Sequence, residues 1–223
     1  MEKKKHSEEH LQAMRTRILS SAKALFLQQG YKKTTIRQIV EHSGVLTGSI
    51  YHFFQNKEDL FQALVLAMLN ECVAISDERF PGEDPVFKYA VMCLTELKAV
   101  EGNAWVRECY YEGYSSKVIF EKMVEHQTLV AERLFAGREP SYTTKDHYRR
   151  SLLIKGALRS CVAEFYFSRP GDFSASWHML MQMILPLYGT GAKQTAAIVG
   201  RLEAMESVVD EISRCLIERS RVL

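Results

Sequence analysis

The 223-residue sequence lacks the marks of a secreted, membrane-spanning or zinc-binding chain. Its five cysteines are odd in number and scattered, without a C-x-x-C pair. That spacing fits neither a disulfide framework nor a zinc site and favours buried apolar thiols in a reducing compartment, with a redox-sensing thiol as the alternative. No apolar run reaches the ~18 residues of a membrane span. The charged N-terminus has no apolar stretch behind it, so we expect no signal peptide and a cytoplasmic protein.

Enzyme motifs are also missing. The chain contains no H-E-x-x-H, P-loop, G-x-S-x-G or Rossmann glycine pattern, and its isolated His, Cys and Asp residues have no motif around them. We therefore expect neither catalysis nor a cofactor or metal. Few segments alternate strictly, and the five prolines lie mostly between helical patterns, which predicts an all-α protein.

The charge of the chain is unevenly distributed, although its net charge is only +2. Residues 1–57 hold ten Lys or Arg and four acidic residues, a balance of +6, and the remaining 19 basic and 23 acidic residues give −4. A basic N-terminal segment on an acidic remainder is the pattern expected of a phosphate-binding module. The alternative is a solvated basic face without a partner.

Apolar residues recur every three or four positions along most of the chain, which predicts a series of helices. The first runs from Glu8 to Gln29, the second lies between Thr35 and Ser43, the third spans Leu46 to Phe53, and Asn56 caps a fourth that continues to about residue 79. Later helical patterns cover residues 85–101, 103–113, 115–136, 144–168, 174–189 and 194–220. Thr35 and Gln38 have the spacing of a capping box at the start of the second helix, and Pro85 suits the first position of the helix at 85–101.

The segment from Thr34 to Leu60 reads as two short helices joined by a tight turn at Gly44. Small residues at the start of the second helix allow close approach to DNA bases, and basic or hydroxyl side chains near helix starts favour phosphates. The predicted DNA contacts are Thr35, Arg37, Thr47, Gly48, Ser49, Tyr51, His52 and Lys57. The alternatives are a core aromatic for Tyr51, helix caps or spacers for the small residues, and plain surface residues for the rest.

This segment closely resembles the TetR family of repressors over about 45 residues. The matching residues keep unbroken spacing: Gly30-Tyr31, Thr34-Thr35, Ile39, Gly44-Val45, Gly48, Tyr51, Phe53-Phe54 and Lys57-Glu58-Asp59-Leu60. Val40 and Ser43 stand where alanines are common, and Leu46 replaces the usual Ser or Thr cap of the recognition helix. The missing cap affects how that helix begins.

The resemblance implies a three-helix helix-turn-helix DNA-binding domain over residues 8–56 and a helical effector-binding and dimerisation domain over residues 57–223, linked by the helix at about 57–79. It further implies a homodimer that binds a palindromic operator as double-stranded DNA and is released by a small-molecule effector. The alternatives are a ligand-independent regulator or activator controlled by a protein partner and, more remotely, an enzyme or ligand-binding protein with a vestigial DNA-binding domain.

Two further residue sets follow for the C-terminal part. An aromatic cluster with polar groups is the candidate effector pocket: Trp105, Glu108, Tyr111, Tyr114, Met123 and His126. Small and apolar residues on two helices are the candidate dimer interface: Gly156, Ser160, Ala163, Trp177, Met181 and Ile184. The alternative for both sets is the core of a single chain.

Overall fold

The computed structural model describes residues 2–138, 141–167 and 173–222, and only the backbone of residues 2–7 and 220–222. Every regular element in this part of the chain is a helix, which confirms the predicted all-α fold. The α-helices are α1 Glu2–Gln29, α2 Ile36–Ser43, α3 Thr47–Phe53, α4 Lys57–Arg79, α5 Pro85–Gly102, α6 Ala104–Ser115, α7 Lys117–Leu134, α8 Thr144–Tyr166, α9 Phe173–Ile184, α10 Ala192–Ala204 and α11 Glu206–Val222, with a 3₁₀ turn at Leu185–Tyr188.

The chain divides into two compact units. The first, which we call the head, holds the chain up to Ala67, and the second, the body, runs from Met68 to Arg219. Helix α4 contributes residues to both units. The predicted division between residues 56 and 57 falls at the start of α4, and the assignment of DNA binding to 8–56 and of effector binding to 57–223 stays a prediction.

The head is held together by an apolar core between α1, α2, α3 and the first turns of α4. Its largest members have no exposed surface: Ile18, Phe26, Ile39, Ile50, Leu60 and Phe61. The Phe26 and Phe61 rings meet edge to face at 5.6 Å, and Tyr31 lies 4.3 Å from Phe61. Aromatic pairs at these separations stabilise the packing beyond simple burial. This core fixes the angle between the short helices.

Helix α5 is the centre of the body. Fourteen of its 18 residues are buried. It packs against α6, α8 and α9, while α7 and α8 lie along each other. Asp84 accepts from the backbone N–H groups of Val86 and Phe87, and Pro85 takes the first helical position, as the sequence predicts.

Two of the later predicted helices were wrong in extent. The predicted helix 194–220 is two helices, because the chain leaves helical geometry at Met205 without a glycine or proline to signal the break. The predicted helix 174–189 is α-helical only to Ile184, because Pro186 cannot donate a backbone hydrogen bond and the chain continues as a 3₁₀ turn. The predicted end of the preceding helix at residue 168 lies outside the described residues.

Helix α4 is, by length and composition, the one helix in the described part of the chain that could cross a membrane. Half of the apolar stretch concerned is buried within the protein. Core helices of water-soluble domains have the same composition, since they bury apolar residues on several faces.

The cysteines are all free thiols in the structure. Cys72, Cys93 and Cys109 are buried, whereas Cys161 and Cys215 are partly exposed. Burial, and then the nearby charge of Glu96, raises the pKa of the Cys72 and Cys93 thiols. Three of the five therefore behave as the small apolar residues that the sequence predicts.

Candidate nucleic-acid interface

The turn between α2 and α3 is built around Gly44. Its φ of 64° lies in the left-handed region, where a side chain is strained, and its N–H donates to the Val40 carbonyl at 3.0 Å. The Arg17 guanidinium donates to the Ser43 carbonyl at 2.6 Å and thereby ties the turn to α1. The predicted role of Gly44 is confirmed, and α1 adds a second anchor that the sequence does not reveal.

Helix α3 is anchored on one side and open on the other. Ile50 is fully buried, while Thr47, Gly48, Tyr51 and His52 are exposed and Ser49 is half-buried. The Tyr51 side chain is 54% exposed, so it is not a core aromatic. Five of the eight predicted DNA contacts thus lie on one short helix, on the side that the head core leaves open. Whether they contact DNA stays a prediction.

The start of α3 has no side-chain cap. Leu46 occupies the cap position, makes no capping hydrogen bond and is 80% exposed. The helix begins at Thr47, and the Ser49 N–H donates to the Leu46 carbonyl at 2.9 Å. The N–H groups of this first turn that have no acceptor within the helix remain available to a partner.

Helix α2 begins with a reciprocal cap. The Thr35 hydroxyl accepts from the Gln38 N–H at 3.3 Å, and the Gln38 side chain accepts from the Thr35 N–H at 2.8 Å. This confirms the predicted capping box. Arg37 extends from the same helix and forms an ion pair with Glu41 at 2.9 Å, with its side chain 88% exposed. Because such exposed pairs contribute little, a phosphate can compete for Arg37.

Lys57, at the start of α4, has a structural role that its sequence position does not predict. Its ammonium donates to the Tyr31 carbonyl at 2.8 Å and the Thr34 carbonyl at 2.9 Å, and it lies 4.3 Å from the centre of the Tyr31 ring. It therefore connects the α1–α2 loop to α4. A phosphate that contacts Lys57 would therefore have to share its ammonium with these two loop carbonyls. The carbonyls lie 26 and 23 residues away in sequence, so no local pattern predicts the contact.

The six predicted effector residues have different surroundings in the body, and whether they bind a ligand stays a prediction. Tyr114 and Met123 are buried in the body, Tyr111 stacks on Tyr166 at 3.6 Å, and Trp105 and Glu108 are half-buried. His126 bonds to the Asn70 side chain at 2.8 Å, and burial, then the charge of Lys155, lowers its pKa to about 4. Because this pKa is far below 7, the His126 imidazole is uncharged at neutral pH.

The dimer prediction needs correction at three residues. Trp177, Met181 and Ile184 are 6%, 0% and 2% exposed, because α9 turns this face inward, so these side chains form the core of a single body. The outward face of α9 instead carries Met179 and Met183, which are 62% and 59% exposed. A groove of about 310 Å³ runs between α8 and α9, lined by Ala157, Ser160, Cys161, Glu164, Ser176, Met179, Leu180 and Met183.

The other three predicted interface residues lie on α8. Ser160 is exposed, and Gly156 and Ala163 are half-buried. They remain compatible with a surface between two chains.

Comparison with known proteins supports the resemblance to the TetR family. Residues 18–64 match the family model described as bacterial regulatory proteins, tetR family. The chain is 37% identical over 167 residues to the transcriptional repressor KstR2 of Rhodococcus jostii, covering 74% of each chain. It is 43% identical over 60 residues to the repressor Rv1474c of Mycobacterium tuberculosis, which is 27% of this chain and 32% of that protein.

The same fold occurs in a solved structure of RolR in complex with the ligand resorcinol. The TM-score is 0.64 at 17% identity, and the match covers 87% of this chain and 96% of that one. At this identity the likeness concerns the fold alone.

We predict that Gly48→Ala stabilises the protein and weakens its binding to DNA. No described atom lies within 4 Å of the position that a Cβ would take, and alanine favours a helix over glycine by ~0.5–1 kcal/mol. On the open face of α3, however, the methyl group would hold the backbone away from a base edge. Chemical unfolding and a DNA titration measure the two effects.

Gly200→Ala on α10 is the matched control, since a Cβ there also meets no described atom within 4 Å. It should stabilise similarly and leave DNA binding unchanged. Equal DNA binding by Gly48→Ala and the unaltered protein would remove Gly48 from the interface.

We predict that Lys57→Met lowers the free energy of unfolding by about 1.5–3 kcal/mol, because it removes charged donors from two loop carbonyls. If the ammonium also contacts a phosphate, the slope of log affinity against log salt falls by about 0.9. Urea unfolding and DNA titrations at several salt concentrations separate these roles. Lys33→Met, at an exposed loop position, is the control for stability. An unchanged salt slope would contradict the phosphate contact.

Proposed function

The chain belongs to the TetR family of bacterial regulatory proteins, and on that premise we propose that it is a cytoplasmic homodimeric repressor that binds a palindromic operator and is released from it by a small-molecule ligand. The DNA-binding part of this proposal rests on the exposure pattern of α3. This short helix buries Ile50 and leaves five small or polar residues on the open side of a basic head. A helix of this size fits the major groove.

The proposed contacts divide by chemistry. Thr47, Gly48 and Ser49 lie at the start of α3, where base edges can be approached closely, and Tyr51 and His52 supply hydrogen bonds to bases or phosphates. Thr35, Arg37 and Lys57 lie at or near the starts of α2 and α4, where the backbone N–H groups also favour phosphates.

The proposed dimer uses the outward faces of α8 and α9. Exposed Met179 and Met183 and the small residues Gly156, Ser160 and Ala163 offer an apolar, closely approachable surface. A second copy of the same surface can cover it by two-fold symmetry. The symmetry would then present two α3 helices to half-sites about one DNA turn, ~34–36 Å, or a multiple of it apart.

The proposed release depends on α4, which continues from the head into the body. Lys57 fixes its first turn to the head loop. In the body, Asn70 bonds to His126 of α7, and the Cys72 thiol donates to the Met92 carbonyl of α5 at 3.7 Å. A ligand that favours one packing of the body would move α4, and a coupling of ~1–3 kcal/mol would change operator affinity about 5- to 150-fold.

We predict that selection from random duplex DNA recovers an inverted repeat. Two copies of α3 related by two-fold symmetry require two matching half-sites. Sequencing of the bound pool and titration with the recovered duplex test this, with a shuffled duplex as control. Equal affinity for the recovered and shuffled duplexes would refute sequence-specific binding. A recovered site without internal symmetry would refute the palindromic operator.

We predict that Met183→Glu converts the dimer to monomers. A carboxylate placed in an apolar interface loses its water without gaining a partner, so the dimer dissociation constant should rise about 100-fold or more. Sedimentation at several concentrations measures it, and Val118→Glu, at another half-exposed apolar position, is the control. A dimer that persists unchanged in Met183→Glu would remove this face from the interface.

A further inference from the structure

A charged pair lies in the interior of the body. The Lys155 ammonium of α8 donates to both carboxylate oxygens of Glu96 of α5, at 2.8 and 3.1 Å. The two side chains are 0% and 5% exposed. Burying two charges is costly, and replacing such a pair with apolar residues is often neutral or stabilising. Stability alone therefore does not account for this pair.

Two buried tyrosines lie on α6, which packs against both helices that carry the pair. Tyr110 and Tyr114 of α6 are 1% and 3% exposed, and their ring centres lie 6.0 Å apart. Burial, and then the nearby charge of Glu96, raises the pKa of both phenols, so both hydroxyls remain protonated donors. The Tyr114 hydroxyl has no hydrogen-bond partner among the described residues.

Ser151 adds a second unpaired group. It lies one helical turn before Lys155 on α8, is fully buried, and its hydroxyl also lacks a partner within the described chain. Nearly all buried polar groups in folded proteins are hydrogen-bonded, and each exception calls for a water or ligand to complete it. Two such groups on the helices that pack around a buried ion pair indicate a site whose polar partner is supplied from outside the chain.

We propose that Glu96, Lys155, Tyr114 and Ser151 form the ligand-recognition site of the body, and that its ligand is an uncharged, mainly apolar molecule carrying a hydroxyl group. This assignment rests on the proposed function, since it names the ligand that would release the repressor. It replaces the looser set of six predicted effector residues with a cluster in which Tyr114 alone is retained.

The charge of the ligand follows from the pair itself. An anion bound to Lys155 would leave the Glu96 carboxylate buried without a partner, and a cation bound to Glu96 would leave Lys155 in the same position. Either outcome is strongly unfavourable. An uncharged hydroxyl can instead donate to a Glu96 oxygen and accept from Tyr114 while the pair stays intact. Buried Cys93, one helical turn before Glu96 on α5, and the Tyr110 ring next to Tyr114 would supply apolar surface for the rest of the molecule.

The position of the cluster also suits regulation. Its residues come from α5, α6 and α8, and α5 is also joined to α4 by the hydrogen bond from the Cys72 thiol to the Met92 carbonyl. Because the cluster is closed to solvent, a ligand can enter only by displacing packed side chains. That displacement is the change in body packing that the proposed release requires.

The test compares probes that differ only in charge. Isothermal titration would measure binding of uncharged phenol, para-hydroxybenzyl alcohol and β-naphthol, with para-hydroxybenzoate and para-hydroxybenzylamine as the charged analogues of the second probe. We expect at least one uncharged probe to bind and both charged analogues to bind at least tenfold more weakly than para-hydroxybenzyl alcohol. Tyr114→Phe, which removes one hydroxyl without leaving a cavity, should weaken binding of the uncharged probe about 3- to 10-fold.

Tyr111→Phe is the matched control, because Tyr111 lies on the same helix but stacks on Tyr166 outside the cluster. It should bind the probes as the unaltered protein does. Binding by no uncharged probe, equal binding by a charged analogue, or an unchanged affinity in Tyr114→Phe would each overturn the assignment. Operator binding, measured without ligand in the same variants, tests the proposed function separately. If the unaltered protein fails to bind operator DNA, the proposed function fails, whereas the titration of the probes still tests the ligand site.

Discussion

The contact between Lys57 and the α1–α2 loop is the constraint on which the arrangement of the head depends. Two backbone carbonyls of the loop accept from one ammonium at the start of α4. This side chain therefore fixes the loop, and the start of α2 that follows it, to the first turn of α4. Arg17 provides the corresponding connection from α1 to the α2–α3 turn. With both ends of the helix pair fixed in this way, α3 needs only one buried side chain, Ile50, to hold its orientation. The rest of that helix is then available for recognition.

Features governed by nearby residues were predictable from sequence. The left-handed turn at Gly44, the Thr35–Gln38 capping box and the start of α5 at Pro85 each depend on side chains within four positions, where steric and hydrogen-bonding rules act directly. The family resemblance rested on the same short-range pattern, and the match over residues 18–64 covers it. The fold class followed from helical periodicity along the chain.

Features that depend on distant partners were not predictable. The Glu96–Lys155 pair joins residues 59 positions apart, and no local pattern connects them. Helix α9 shows a different difficulty, since it carries methionines on both sides and composition does not say which side is inward. Burial of Met181 and exposure of Met183 are decided by packing against α8 and α10. The break at Met205 likewise has no residue that would announce it.

The distribution of the cysteines has a practical consequence. A thiol reacts with alkylating reagents and disulfides through its thiolate, and burial disfavours that form at Cys72 and Cys93. In the folded protein, maleimide dyes and spin labels therefore reach the partly exposed Cys161 and Cys215 before the three buried thiols, although partial burial also raises the pKa of Cys161. Cys161 lines the groove between α8 and α9. Because this groove belongs to the proposed dimer surface, the rate of labelling at Cys161 reports on whether that surface is covered, while the interior keeps its native chemistry.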